Sequence, residues 1–175
     1  MGYWGYFVVG RAERPVPDAR ALARAGRMTP RTSAPGGWQV WEYPGGDGDV
    51  GRMHDLAAET GAPALFGYVM DGDCVVLEAA GPRSGVWTTC LARTRMACYL
   101  GAEQHGLTLE DYFLEPRDAA DRAVAWAAEA GRAADAGELL RLLEADPEPT
   151  ESGAEDLFFR FLDRLGVVPL GHRAP

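Results

Sequence analysis

The sequence predicts an α+β fold in a single domain spanning residues 1–175. A mixed or antiparallel sheet of about five strands is expected from 1–91, with a helical half, 92–166, packed on it and a tail at 167–175. Three observations predict this. Short β-rich runs separated by Gly and Pro fill the first half, whereas apolar residues at helical spacing, preceded by capping residues, fill the second. A chain of 175 residues, 47% hydrophobic, is also long enough for one core that buries roughly 70% of the unfolded chain's surface without disulfides or metal.

Residues 3–9, YWGYFVV, form a continuous apolar run of the kind a central strand requires. After the loop GRAERPVP, Asp18 is placed to cap a short helix over 19–25 that Gly26 would close. Glycine and proline frame a second strand at 38–43, with Trp38, Val40 and Glu42 on one face and Gln39, Trp41 and Tyr43 on the other. Asp49 occupies an N-cap position, and Val50, Met53, Leu56 and Ala57 recur at helical spacing up to Gly61. Strands are expected at 64–70, 74–79 and 86–91, and the helical half begins within 92–100. Pro116 is suited to the first position of a helix ending at Glu129, with Gly131 beyond it. Asp135 with Glu138, and Ser152 with Glu155, match the capping-box spacing. Leu157, Phe158, Phe161, Leu162 and Leu165 then form one apolar stripe closed by Gly166. The acidic run between these helices, EADPEPTESGAED, reads as a solvated loop.

The net charge of −9 excludes the basic footprint needed to hold nucleic acid or an anionic membrane, and favours a basic protein partner. No apolar run approaches the length of a membrane span, the N-terminus lacks a basic leader, and three Cys form no paired framework. A cytoplasmic protein is expected. All 17 basic residues are Arg, and Lys, Ile and Asn are absent. These residue types share AT-rich codons, so the composition points to a GC-rich genome.

The stretch GYVMDGDCVVLEAAG is the most chemically suggestive. Asp71-Gly72 between two β-rich runs signals a two-residue hairpin turn, pairing Val69 with Cys74 and Tyr68 with Val75 and burying Cys74. Glu78 then lies too far from Asp73 to share a metal ion with it. A divalent site would require Asp47 and Asp49, from the loop GGDGDVG, to meet Asp71 and Asp73. His54, His105 and His172 share no ligand spacing, and a chain without Lys has neither a Walker lysine nor a Schiff base. No catalytic residue, metal or cofactor is therefore expected. Trp38, Trp41 and Tyr43 place large rings on both faces of one strand, and Phe159 lies off the last helix's stripe. Exposed rings of this kind are what a binding hot spot uses. The residues expected to meet a partner are thus Trp38, Trp41, Tyr43, Asp47, Asp49, Asp71, Asp73 and Phe159.

The segments MGYWGYFVVGR, GWQVWEYPG, LAAETGAPALFGYVMDGDCVVLEAAG and AEDLFFRFLDRLG resemble a group of uncharacterised short proteins of high-GC Gram-positive bacteria. More loosely, a small acidic α+β chain lacking catalytic motifs is similar to the immunity proteins of bacterial toxin systems. That resemblance implies an inhibitor occupying a basic partner. The alternative is a small enzyme or ligand-binding domain whose site is built from His54 and the Asp-Gly-Asp loops.

Overall fold

In the computed structural model, residues 2–45, 49–101 and 106–170 are described. The apolar run near the N-terminus becomes β1 (Gly5–Arg11), flanked by a strand on each edge and buried on both faces, with Phe7 and Val9 in one core and Val8 in another. Five further strands join it: β2 (Thr29–Ala34), β3 (Trp38–Pro44), β4 (Ala64–Met70), β5 (Cys74–Gly81) and β6 (Gly85–Leu91). They lie in the order β2-β3-β1-β4-β5-β6, antiparallel throughout. The sheet is thus antiparallel and has six strands where about five were expected.

The extra strand, β2, has no alternation of apolar residues to announce it, because it is an edge strand whose side chains are exposed or half-buried. Its backbone pairs with β3, and the register slips between Pro30 and Thr32, a disruption that an edge tolerates. Arg31 pins this edge to the layer beneath. Its guanidinium lies 5.3 Å from the Phe159 ring centroid and 5.8 Å from that of Phe7, and it meets the Glu155 carboxylate at 2.7 Å.

Helices cover both faces, not only the C-terminal side of the chain. One face carries α3 (Pro116–Glu129), α4 (Ala136–Glu144) and α5 (Gly153–Leu165), packed on Phe7, Val9, Trp38, Val40, Leu65 and Leu77. Trp126 of α3 is fully buried there and donates its indole N–H to Ala64 O and Ala80 O at 3.1 and 3.2 Å. The other face carries α1 (Met53–Thr60) and α2 (Arg93–Leu100). A smaller core under α1 joins Val8, Val16, Leu22, Met53, Leu56 and Ala64.

Several expected helix starts are corrected. The helix expected at 19–25 is instead two 3-10 turns, Val16–Asp18 and Arg20–Leu22, interrupted because Ala19 is extended. α1 begins at Met53 and not near Asp49: Gly51 adopts φ +90°, and Asp49 only accepts the Gly51 N–H. Asp135 caps α4 by accepting the Glu138 N–H at 2.9 Å. At α5 the Ser152 hydroxyl bonds the Asp156 side chain, and Glu155 turns away to Arg31, so no Ser152–Glu155 box forms. Val167 and Val168, expected in a tail, are buried against the helical layer.

Candidate interaction surface

Strand register assembles the site. Tyr6 on β1 stands directly opposite Tyr43 on β3 and opposite Tyr68 on β4, so three tyrosines form one row across three adjacent strands. They point to the face that carries α1 and α2. The ring centroids of Tyr6 and Tyr68 are 4.4 Å apart, those of Tyr6 and Tyr43 6.3 Å, and Phe66 meets Tyr6 edge-on at 5.2 Å. Trp4, preceding β1, continues the patch 6.3 Å from Tyr68, and Tyr99 of α2 meets Trp4 at 6.1 Å. The row itself is half-buried, whereas Trp4 and Tyr99 are 37% and 38% exposed.

Carboxylates rim this surface. Burial foremost, then Tyr68, Asp49 and Glu78, pushes the Tyr6 phenol up, so those two acids act on the ring at the centre of the row. At the other end Asp71 accepts the Gly2 N–H at 2.7 Å and the Tyr99 hydroxyl at 3.0 Å. These bonds hold its carboxyl below the usual range, with a smaller contribution from the Trp4 indole. Desolvation, and then the bond to Asp71, pushes the Tyr99 phenol up to about 12.

The hairpin tip differs from expectation by one residue. Asp71 and Gly72 both take positive φ, +54° and +68°, and Asp73 N–H bonds Met70 O, as a type I′ turn requires. Asp73 is nevertheless left out of the ladder, and Met70 pairs with Cys74, Val69 with Val75 and Tyr68 with Val76. The shift places Phe66, Tyr68, Val76 and Glu78 on one face and Leu65, Val69, Val75 and Leu77 on the other. Cys74 is buried, with its sulfur 3.9 Å from that of Met96.

The expected site residues are dispersed. Trp38 is 1% exposed, lies 5.8 Å from Trp126 in a tilted ring pair and belongs to the core, because its strand face is covered by the helices. Phe159 is half-buried, packed against the core beneath Arg31 and beside Phe158. Trp41 is half-buried and donates its indole N–H to Gln39. Tyr43 belongs to the row. Asp49 and Asp71 lie at its rim, Asp73 stands beside Asp71 at the tip, and Asp47 lies outside the described residues.

A joint site for His54 and the hairpin tip does not form. Glu78 accepts the Met53 N–H at 2.9 Å and so closes the start of α1, next to exposed His54. Asp71 lies five residues along the hairpin from Phe66, the partner of Glu78, about 16 Å away at the rise of a strand. Among the described residues no cluster of three His, Cys, Asp or Glu side chains could hold a metal ion. Burial pushes the Cys74 and Cys90 thiols up to about 12 and about 11, the reverse of nucleophile activation.

Tyr6, Tyr68, Phe66, Trp4 and Tyr99 were missed by sequence reasoning. The aromatic run at 3–7 and the FGY of β4 were visible, but only strand pairing makes them neighbours. Fold and surface together define an antiparallel α+β protein with a tyrosine row on one sheet face and carboxylates at its rim. No protein-family model matches the chain, and no curated protein or solved structure shows significant similarity to it. Among the described residues no helix is long and apolar enough to cross a membrane.

Proposed function

We propose that this chain is a small acidic cytosolic interaction protein that docks a basic protein partner on the Tyr43–Tyr6–Tyr68 face. An immunity-type inhibitor is the form this takes. The observation that carries the reading is the tyrosine row itself, three half-buried rings set side by side, with Asp49 and Glu78 acting on the central Tyr6. Tyrosine supplies large contact area at low entropic cost, and its hydroxyl tolerates a wet interface. The chain's net charge of −9 complements the positive surfaces of enzymes that bind phosphate, and speeds encounter with them.

The test is co-purification from the native host, with the wild-type chain and a Tyr43→Thr, Tyr68→Thr double variant run in parallel. Threonine keeps strand propensity while removing the rings, and circular dichroism checks the fold. A stoichiometric basic partner that is retained by wild type, lost by the variant and slower to associate at high salt supports the proposal. A partner held equally by both chains, or no stoichiometric partner at all, refutes it.

A further inference from the structure

The exposed corner of the face names the partner's chemistry, an inference that rests on the docking reading above. Trp4 and Tyr99 are its solvent-facing rings, set at 79° to one another with centroids 6.1 Å apart. Asp71 stands beside them with its two oxygens fixed by different donors, Gly2 N–H on one and the Tyr99 hydroxyl on the other. The Trp4 indole adds a weaker bond to the same carboxylate, which keeps acceptor capacity for one incoming donor. Asp71 also lines an open cleft of about 480 Å³ beside this corner, together with Asp73, Arg95, Glu148 and Glu151. A fixed negative charge thus borders two exposed aromatic rings.

We propose that this corner receives an arginine side chain of the partner, its guanidinium over the Trp4 ring and its N–H groups directed to Asp71. Arginine fits better than lysine for physical reasons. The guanidinium is planar, weakly hydrated and able to stack and fork at once, whereas an ammonium is a compact, strongly hydrated point charge. The same sheet demonstrates the chemistry on its opposite face. There Arg31 lies over Phe7 and Phe159 while bonding the Glu155 carboxylate, with aromatic rings and one acid capturing one guanidinium. Arg95, lining the same cleft, opposes an incoming cation and sets a ceiling on affinity.

The probes are acetylated, amidated Gly-Arg-Gly and its lysine and citrulline counterparts, titrated while the Trp4 indole N–H is followed by NMR. The arginine peptide is expected to shift that resonance saturably, the lysine peptide more weakly, and the uncharged citrulline peptide not at all. Asp71→Asn keeps a residue that tolerates positive φ while removing the charge and one of the two acceptor oxygens. It should weaken binding about two- to fivefold, as should Tyr99→Ala, and Arg95→Ala should strengthen it. Equal binding of the citrulline peptide, indifference to Asp71→Asn, or shifts centred on Trp87 and Tyr112 instead would overturn the assignment. The two proposals fail separately. A partner lost with the Tyr43, Tyr68 variant but unaffected by Asp71→Asn leaves the docking face standing without its arginine anchor. Arginine-peptide binding at Trp4 with no basic partner recovered removes the docking reading and leaves a cation site.

Discussion

Trp126 and Trp87 form a matched pair for separating hydrogen bonding from packing. Both are buried, at 0% and 3% exposure. The Trp126 indole N–H is shared between Ala64 O and Ala80 O, which face each other across β4 and β5. The Trp87 indole N–H has no partner among the described residues. Replacing either with phenylalanine removes similar ring volume, at a cost of about 1 kcal/mol for the smaller side chain. Trp126→Phe also removes the indole donor that the two carbonyls share, adding about 1–3 kcal/mol, for a total of about 2–4 kcal/mol. Trp87→Phe instead deletes an unsatisfied donor, so about 1 kcal/mol is regained and the net change is close to zero. The expected gap is therefore about 2 kcal/mol or more, or about 4–8 °C in Tm for a chain of this length. Urea unfolding followed by far-UV circular dichroism measures it without relying on tryptophan emission, and unchanged m-values validate the comparison. Equal destabilisation by the two substitutions would refute the hydrogen-bond account of Trp126.

Three further outcomes are expected. Gly67→Ala would drive a methyl into the Phe158 ring at the sheet–helix contact, and thermal denaturation should show a loss of about 1–3 kcal/mol. A thiol reagent under native conditions should modify exposed Cys98 quickly and leave buried Cys74 and Cys90 untouched until the chain unfolds; three fast thiols would contradict the burial. Asp71 has a carboxyl held below its ordinary 3.8, so the unfolded chain takes up its proton first as pH falls. The stability it contributes is present above about pH 4 and is lost as pH falls through the folded value. Asp71→Asn should accordingly flatten the acid limb of a stability–pH profile, and an unaltered limb would show that the Gly2 and Tyr99 bonds carry no linkage.

Elements whose neighbours are close in sequence were legible in advance. α3 runs from Pro116 to Glu129 as its terminal residues indicate, and β4 spans the expected residues, because a helix's capping bonds and a strand's alternation are written locally. Asp135 finds its donor three residues on for the same reason. Features that depend on a distant partner were not legible. β2 exists only because β3 offers it an edge, and Ser152 leaves its expected box because Glu155 is drawn to an arginine 124 residues away. A single residue left out of the ladder at Asp73 reassigned the whole facing of β5.

The same division governs the candidate surface. By itself the sequence determined the α+β class, the acidic charge and the Asp-Gly turn, since composition and short-range geometry are properties of neighbouring residues. It also showed a surplus of aromatic rings, but not which of them meet solvent. Only the tertiary structure decided that Trp38 and Phe159 serve the core while Tyr43, Tyr6 and Tyr68 stand in one row. The physical reason is strand order. Residues separated by tens of positions become neighbours only when β1 is inserted between β3 and β4, and no local preference specifies that insertion.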